Sequence, residues 1–448
     1  MAGHRSRAID TPAPPAHRQP MPTAKRAPNA SIHNATFASI LIKAVLSRRA
    51  CLGAVLALLT AVLGCKTTPK ETASTTGPWN LATLTRVPAF TWGGTQGLAR
   101  ELYYEGEPFE GKPTRVFAYL ARPADRAQGK RPAMVLVHGG GGKAFRDWAE
   151  HWAKRGYVAL AMDLSGNGPK GRLPDGGPDQ ADKVKFREFT ESEAPDMWTY
   201  HAVSAVILGH SLLRSLPDVD ANRIGLTGIS WGGYLTCIVA GIDSRFKVSV
   251  PVYGCGFLGE NSVWKDGSLA AMTPEARERW LRLFDPSRYV GAVRHPILFV
   301  NGTTDFAYPL DSYLKTYRLV PAAWRHVSVA VNRPHGHIWT FPEVDSFVDH
   351  ALRGKPGLAR IGSLETRDSR LSARVKYGGP LQETLLCYTT NTGPWQKRKW
   401  HTAPAQFKGS GGQVTAELPS QRPIVAFLAL KDAKGRHMSS EHVELLEP

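Results

Sequence analysis

The sequence predicts an α/β fold, in which helices cover both faces of a mostly parallel sheet, followed by a small all-β domain. The first observation is that short apolar stretches alternate with helical patterns between residues 114 and 352. Several of these stretches are continuously apolar, as strands buried on both faces of a parallel sheet should be. The second observation is a change beyond Gly354, where alternating strand patterns separated by turn residues predict a sandwich-like domain.

The elements of the first region follow in order along the chain. The apolar stretches that predict strands are 114–120, 133–137, 158–162, 224–227, 248–252, 297–301 and 326–331. The segments with helical periodicity are 144–155, 197–216, 231–240, 310–319 and 341–352. Residues 256–289 are too long for a simple connection and include a helical stretch of their own. We expect this insertion either to cap the strand ends or to serve only as a packing element.

The C-terminal strand patterns occupy a stretch of about 90 residues and predict a small antiparallel sandwich. They cover 371–377, 383–389, 413–418 and 425–430. Trp395 and Trp400 lie between these patterns and offer rings for carbohydrate binding. A structural or dimerising role of this region is the preferred interpretation.

The N-terminus has the pattern of an export signal. Arg48 and Arg49 precede an apolar run, 50–63, which is shorter than the roughly 20 residues that span a bilayer. The run closes with Val62-Leu63-Gly64-Cys65, which resembles a bacterial lipobox and implies cleavage before a lipidated Cys65. We therefore expect an exported protein of the bacterial cell envelope, anchored at Cys65. An uncleaved anchor or a chance apolar stretch is the alternative.

These patterns divide the chain into four parts. The predicted parts are a leader with a lipoprotein-type signal peptide (1–65), a linker and N-terminal segment (66–100), an α/β domain (101–354) with a cap-like insertion (256–289), and a C-terminal β domain (355–448).

The net charge of +18 does not indicate a nucleic-acid partner. The first 65 positions hold eight of the 56 Lys and Arg residues and one acid, so 48 basic and 37 acidic residues remain, a charge of +11. No basic run interleaved with aromatic residues occurs in that remainder, which predicts a solvated basic surface without nucleic-acid binding.

The strongest chemical signal is a glycine-flanked serine at the end of a predicted strand. Gly228-Ile229-Ser230-Trp231-Gly232 follows the apolar strand 224–227 and opens the predicted helix 231–240. Glycines are needed there because the sharp turn brings the helix close to the strand, where a side chain would clash. The arrangement predicts an exposed Ser230 hydroxyl at a helix N-terminus, as in a nucleophile elbow.

The sequence of residues 223–234 resembles that of the α/β-hydrolase superfamily. It reads Arg-Ile-Gly-Leu-Thr-Gly-Ile-Ser-Trp-Gly-Gly-Tyr. It is similar to the branch that holds acetyl xylan esterases, dienelactone hydrolases and prolyl-oligopeptidase-like peptidases. The resemblance covers roughly residues 114–352 and implies an α/β-hydrolase fold. It also implies a triad in the order serine, acid, histidine, with acid and base on loops after late strands.

The two later members of the implied triad are Asp305 and His335. Asp305 follows the strand 297–301, at the family's acid position, although a loop carboxylate there is also suited to cap the next helix. His335 follows the strand 326–331, and a histidine followed by glycine resembles the family's usual base. His337 stands two residues later and remains the alternative base.

We expect no cofactor and no metal. A metal site formed by His335, His337 and Asp305 would need a further ligand, which the sequence does not show. Outside the signal, Cys237, Cys255 and Cys387 are an odd number without zinc spacing and predict buried free thiols.

Acyl transfer also needs donors for a developing oxyanion. His138-Gly139-Gly140-Gly141-Gly142 follows the strand 133–137, where the superfamily builds half of its oxyanion hole. The resemblance implies backbone N–H donors at Gly139 and Gly140, with the N–H of Trp231 as the other half.

The predicted function is that of a serine hydrolase acting on small carboxylic esters through an acyl-enzyme on Ser230. The expected substrate is a small-molecule or carbohydrate ester, with acetyl preferred, and Trp198, Trp231, Trp264 and Trp339 are candidates for lining a sugar-binding cleft. One alternative is a prolyl-oligopeptidase-like serine peptidase. The other is a non-catalytic, surface-tethered binding lipoprotein on the same scaffold.

Overall fold

A computed structural model describes residues 76–125, 129–337, 341–409 and 412–446. The predicted leader and signal, with Cys65, lie outside the described residues, as do the first ten residues of the linker and Trp339. The export and lipid-anchor predictions therefore stay predictions. Within the described ranges, no helix is long and apolar enough to cross a membrane.

The centre of the fold is a nine-stranded sheet in the order β1-β2-β3-β5-β4-β8-β9-β10-β11. Its strands are β1 (Phe90–Gln96), β2 (Ala99–Glu105), β3 (Arg115–Ala121), β4 (Arg131–Val137), β5 (Val158–Met162), β8 (Val219–Ile229), β9 (Val248–Val252), β10 (Ile297–Gly302) and β11 (Arg325–Ala330), while β6 (Asn167–Gly168) and β7 (Gly171–Arg172) form a separate short hairpin. The pairs from β1 to β5 are antiparallel, and those from β5 through β4 to β11 are parallel.

The parallel half of the sheet is buried on both faces. Every residue of β5 and β9 is buried, and so is every residue of β10. This is why these strands read as continuous apolar runs, and the predicted fold is confirmed. Because parallel strands end at the same edge, the loops after β4, β8, β9, β10 and β11 meet there.

The described residues form eight α-helices. They are α1 (Leu81–Leu84), α2 (Arg146–Lys154), α3 (Asp182–Lys185), α4 (Trp198–Ser215), α5 (Trp231–Ile242), α6 (Pro274–Phe284), α7 (Leu310–Leu319) and α8 (Pro342–Arg353). Of these, α2, α4, α5, α7 and α8 match the five segments predicted to cover the sheet, and α6 lies in the insertion. The short α1 and α3 have no counterpart in the sequence prediction, because one helical turn shows no periodicity.

Strands β1 and β2 have no counterpart in the prediction either, and they lie across position 100, where the linker was expected to end. They pair with each other and, through β2, with β3. Most residues of β1 are exposed, so it lacks the continuous apolar pattern of a central strand. The sheet thus begins earlier in the chain than the sequence pattern indicates.

The insertion contains α6, a π-helical turn (Lys265–Leu269) and a 3-10 turn (Pro286–Arg288). It closes on itself because the buried carboxylate of Asp285 accepts hydrogen bonds from the amides of Phe257 and Leu258, at 2.9 and 3.0 Å. The two ends of the insertion are therefore joined beside the sheet.

The C-terminal region forms two further antiparallel sheets. One has the order β12-β14-β18-β17 with β13 beside β14, and the other has the order β16-β15-β19-β20 with β21 beside β19. The strands are β12 (Arg360–Ile361), β13 (Glu365–Arg367), β14 (Arg370–Lys376), β15 (Leu381–Thr389), β16 (His401–Pro404), β17 (Gln406–Lys408), β18 (Gln413–Glu417), β19 (Ile424–Asp432), β20 (His437–Ser439) and β21 (Val443–Leu445).

The C-terminal region packs against β11, the last strand of the central sheet. The amide of Val329 in β11 donates to the Ser439 hydroxyl of β20, at 2.9 Å. Covering an edge strand removes a row of groups open to unwanted pairing. Trp395 and Trp400 are both buried, which favours the packing role over carbohydrate binding.

Candidate active site

Ser230 stands at a strained turn between β8 and α5. Its φ and ψ are 60° and −119°, a conformation that a residue other than glycine adopts only when its surroundings enforce it. A Cβ on Gly228 would lie 2.2 Å from the Gly232 carbonyl oxygen, and one on Gly232 would lie 2.0 Å from that of Val137. Only glycine fits at either position, so the turn has the backbone geometry that the sequence predicts. Ser230 itself is buried, at 8% exposed, where the sequence predicts an exposed hydroxyl.

The structure brings Asp305 and His335 to this serine. His335 Nε2 lies 2.9 Å from Ser230 Oγ, and His335 Nδ1 lies 2.7 Å from Asp305 Oδ2. A carboxylate at Nδ1 holds the proton there, which leaves Nε2 as the acceptor facing the hydroxyl. Three side chains far apart in the chain thus form one hydrogen-bonded line.

Asp305 is fixed by its own loop. It is 2% exposed, and its Oδ1 accepts from the amides of Ala307 and Tyr308 at 2.9 and 2.8 Å. The N-cap of α7 is Pro309, so Asp305 does not cap that helix. Its second oxygen is free to face the imidazole.

Tyr253 supports His335 from the end of β9. The two rings stack with centroids 4.5 Å apart and an angle of 26° between them, and the phenol donates to the Pro334 carbonyl at 2.9 Å. Burial raises the pKa of Tyr253 to about 12, so the phenol keeps its proton. The sequence analysis did not single out Tyr253; its position directly after a buried strand was the available signal.

The glycine loop after β4 lies against the nucleophile. A Cβ on Gly139 would be 2.9 Å from Ser230 Cβ, and one on Gly140 would be 2.8 Å from Trp231 Cδ1. The predicted oxyanion residues Gly139, Gly140 and Trp231 therefore surround Ser230. As the first residue of α5, Trp231 also has an amide without an intrahelical acceptor.

His138 holds the glycine loop in place. Its Nε2 accepts from the amide of Leu164 at 2.9 Å, so its proton sits on Nδ1, 2.8 Å from the Gly139 carbonyl oxygen. Burial lowers the pKa of His138 to about 4, which keeps the ring neutral. This histidine orders the loop and does not face the serine hydroxyl.

His337 also lies in the site, beside the glycine loop. Its Nε2 and Ser230 Cβ are each 2.9 Å from the point where a Cβ on Gly139 would stand, so the two atoms are at most twice that distance apart. Burial first, and His335 second, lower the pKa of His337. His335 occupies the position between Ser230 and Asp305, and His337 a position against Gly139.

The site opens into a cavity of about 750 Å³. Six segments of the described chain line it: the glycine loop, the segment before α4 that includes α3, the turn at Ser230, the insertion, the loop after Asp305, and the loop of His335 and His337. The lining residues are Gly140, Gly141, Asp179, Gln180, Ala181, Asp182, Lys185, Ser230, Trp231, Val263, Trp264, Gly267, Ser268, Phe306, Ala307, His335 and His337. The insertion therefore contributes to the site, as the cap interpretation expects.

Two of the four candidate cleft tryptophans, Trp231 and Trp264, line this cavity. Trp198 is buried with its ring 5.6 Å from that of Trp231. Lys185 lines the cavity as well and was missed by the sequence analysis, since a single lysine in a one-turn helix carries no local signal. In the described ranges, no group of three His, Cys, Asp or Glu side chains is arranged to hold a metal ion. Cys237, Cys255 and Cys387 are buried free thiols, as predicted.

Comparison with known proteins gives matches in the same region. A family model described as acetyl xylan esterase (AXE1) matches residues 96–289. An uncharacterized protein of Pseudomonas aeruginosa is 30% identical over 250 residues, which cover 54% of this chain and 60% of that protein. The acetyl esterase Axe7A of Xylanibacter ruminicola is 25% identical over 150 residues, which cover 30% of this chain and 31% of that enzyme. The chain thus spans less than two thirds of either relative.

Among solved structures, an acetyl xylan esterase from Paenibacillus sp. R4 aligns with a TM-score of 0.49 at 19% identity, covering 61% of this chain and 92% of that one.

The match of residues 96–289 includes the turn at Ser230 and supports a carboxylic ester hydrolase. It agrees with the sheet order and with the glycine-flanked serine between β8 and α5. From these findings together, the chain is similar to the acetyl xylan esterase family over residues 96–289, and its sheet has the α/β-hydrolase fold.

Proposed function

We propose that the chain is a serine hydrolase that cleaves small carboxylic esters through an acyl-enzyme on Ser230. The observation that carries the proposal is the line of hydrogen-bonding contacts from Ser230 Oγ through His335 to Asp305, at 2.9 and 2.7 Å. Distances of this size allow direct proton transfer between the hydroxyl and the imidazole.

The proposed reaction has two halves. His335 Nε2 takes the hydroxyl proton while Ser230 Oγ bonds to the ester carbonyl carbon, and the alcohol leaves with that proton as the carbon–oxygen bond breaks. Water then attacks the acyl-enzyme with His335 as base, which releases the acid and restores the serine. Asp305 keeps its charge and stabilises the imidazolium in both halves.

The negative oxygen that develops on the substrate needs fixed donors. The amides of Gly139 or Gly140 and of Trp231 are proposed for this role, because these residues crowd Ser230 and Trp231 begins a helix. The positive end of the helix dipole adds to the stabilisation of an anion there.

The proposed substrates are acetyl esters, on a carbohydrate or a similar polyol. The match of residues 96–289 to the acetyl xylan esterase family supports the acyl group. The cavity supports the alcohol, since indole rings at Trp231 and Trp264 stand beside the carboxylates of Asp179 and Asp182. Such a mixture of rings and hydrogen-bond acceptors suits a ligand rich in hydroxyls.

The test compares the purified protein with its Ser230→Ala variant. The wild type should hydrolyse nitrophenyl acetate and acetylated xylo-oligosaccharides with a higher kcat/KM than nitrophenyl octanoate or a proline dipeptide amide. Ser230→Ala should lower turnover by several powers of ten and abolish labelling by a fluorophosphonate probe, with an unchanged circular dichroism spectrum.

Ser268→Ala is the matched control, because this second serine lines the same cavity. It should retain turnover and labelling. Undiminished labelling of Ser230→Ala would remove Ser230 from the mechanism. Faster cleavage of the amide would favour a peptidase, and labelling without turnover of any substrate would favour a binding protein.

A further inference from the structure

Lys185, the last residue of α3, is a buried lysine in the wall of the cavity. Its side chain is 3% exposed, although lysines are rarely buried without a partner. Its Nζ lies 2.9 Å from Asp182 Oδ1, one turn earlier in the same helix. Burial lowers the pKa of Lys185, and the hydrogen bond that Lys185 donates to Asp182 acts against that shift. Lys185 and Asp182 therefore form an ion pair in the wall of the cavity.

The ammonium of Lys185 lies over two indole rings. Its Nζ is 4.4 Å from the ring centroid of Trp231 and 5.3 Å from that of Trp198. The two rings meet edge to face at 5.6 Å. A cation and a desolvated indole face attract each other electrostatically. Lys185 therefore restrains the Trp231 ring from the side of α3.

Asp182 extends the same contact to the insertion. Its Oδ2 accepts from Trp264 Nε1 at 3.2 Å, while its Oδ1 holds Lys185. The rings of Trp264 and Trp231 are 4.5 Å apart. One ion pair therefore holds both tryptophans of the cavity, one next to the nucleophile and one from the insertion.

The Trp231 ring also lies close to the glycine loop. A Cβ on Gly140 would lie 2.8 Å from Trp231 Cδ1, so the ring has little room to move toward that loop. Trp231 follows Ser230 in the chain and lines the same cavity, so its ring is a candidate wall for the acyl group on Ser230.

We propose that the Lys185–Asp182 ion pair is a specificity-determining clamp, which fixes Trp231 and Trp264 and limits the acyl group on Ser230 to a short chain. The inference rests on the proposed ester hydrolysis. Asp182 neutralises the ammonium and Asp179 adds a further negative charge to the same wall, so the wall does not suit an anionic acyl group.

The experiment measures kcat/KM for nitrophenyl acetate and nitrophenyl butyrate, and the ratio of butyrate to acetate is the readout. Lys185→Met keeps an unbranched stem of similar volume and removes the charge. We expect the ratio to rise about tenfold, which is the low end of the discrimination that a hydrophobic pocket makes between substrates differing by one methylene. Asp182→Ala cuts the link to both Lys185 and Trp264 and should shift the ratio in the same direction. In the double variant, the butyrate-to-acetate ratio should rise by less than the product of the two single increases, because both changes break the same contact.

Lys315→Met is the matched control, since Lys315 also lies over an aromatic ring, Phe257, and pairs with Glu260, but at an exposed position away from the cavity. It should leave the ratio unchanged. If Lys185→Met fails to fold, Asp182→Ala carries the test, because the Asp182 side chain is half-exposed.

An unchanged ratio in a variant that still hydrolyses acetate overturns the clamp and leaves the proposed function standing. An equal fall for both esters also overturns it, since that result indicates general disruption of the site. Wild-type protein that hydrolyses neither ester overturns the proposed function and the clamp together.

Discussion

Two histidines two residues apart, His335 and His337, share the cavity but make different contacts. His335 lies between Ser230 Oγ and Asp305, while His337 lies against Gly139. An imidazole needs a partner at Nδ1 to be a well-oriented base at Nε2, and Asp305 supplies it to His335. The geometry therefore favours His335 as the base.

We expect His335→Ala to lower kcat/KM for nitrophenyl acetate by on the order of 10²–10⁴-fold, the usual contribution of a general base. His337→Ala should cost much less, because it leaves the line from Ser230 to Asp305 intact. Steady-state kinetics of the two variants, with circular dichroism to confirm folding, check this prediction. The reverse order of the two losses would transfer the role of base to His337.

At the scale of elements, β11 joins the site to the C-terminal region. The His335 loop begins at its carboxyl end, and β20 covers its edge through the bond from Val329 to Ser439. Glu343, in the first turn of α8, is buried beside this junction. Its carboxylate accepts from Arg333 Nη2 at 2.6 Å and from the Ser328 hydroxyl at 3.2 Å. One carboxylate thus ties the His335 loop, β11 and α8 together.

Glu343→Gln should destabilise the protein by about 3–5 kcal/mol, because it leaves the buried guanidinium of Arg333 without its carboxylate. Urea unfolding measures the change as a lower midpoint. Glu260→Gln is the control, since its half-exposed pair with Lys315 should contribute at most about 1 kcal/mol. If the urea midpoint falls by a similarly small amount in both variants, the pair of Arg333 and Glu343 does not stabilise the junction between β11 and α8.

At the scale of the whole molecule, histidines that the fold buries wholly or partly connect folding stability to pH. Burial is the main cause that lowers the pKa of each of them, to about 4 or, for one, about 3. They are His138, His201, His295, His326 and His437. In the unfolded chain each has a pKa of about 6.5. Between these values the unfolded chain binds more protons than the folded one, so folding stability falls as the pH falls.

We expect the free energy of unfolding to be at its full value above about pH 6.5 and to decrease from there toward pH 4. His138 alone, with its pKa lowered to about 4, should contribute about 3 kcal/mol of this loss. Urea unfolding at steps between pH 7 and pH 4.5 checks the prediction. A constant midpoint over that range would show that these rings are not held neutral by the fold.

The sequence by itself determined the parallel half of the sheet and the nucleophile turn. Strands such as 133–137 and 158–162 are recognisable because burial on both faces demands an apolar residue at every position. The turn at Ser230 is recognisable because the glycine-flanked serine stands in five consecutive residues, 228–232, although the contact that requires Gly232 comes from Val137 of β4. Both patterns lie within short stretches of sequence. They supported the resemblance to the α/β-hydrolases, and that resemblance implied the roles of Asp305 and His335.

Only the tertiary structure decided what depends on contacts between distant segments. The strands β1 and β2 show no clear pattern alone, because their role depends on pairing with β3. His335 and His337 share one local sequence, and only the direction to Ser230, 105 residues before His335, separates them. Lys185 gains its surroundings from Trp198 and Trp231, which lie on α4 and α5. A buried ion pair and a cavity wall arise from packing between elements, so no periodicity within a single element contains them.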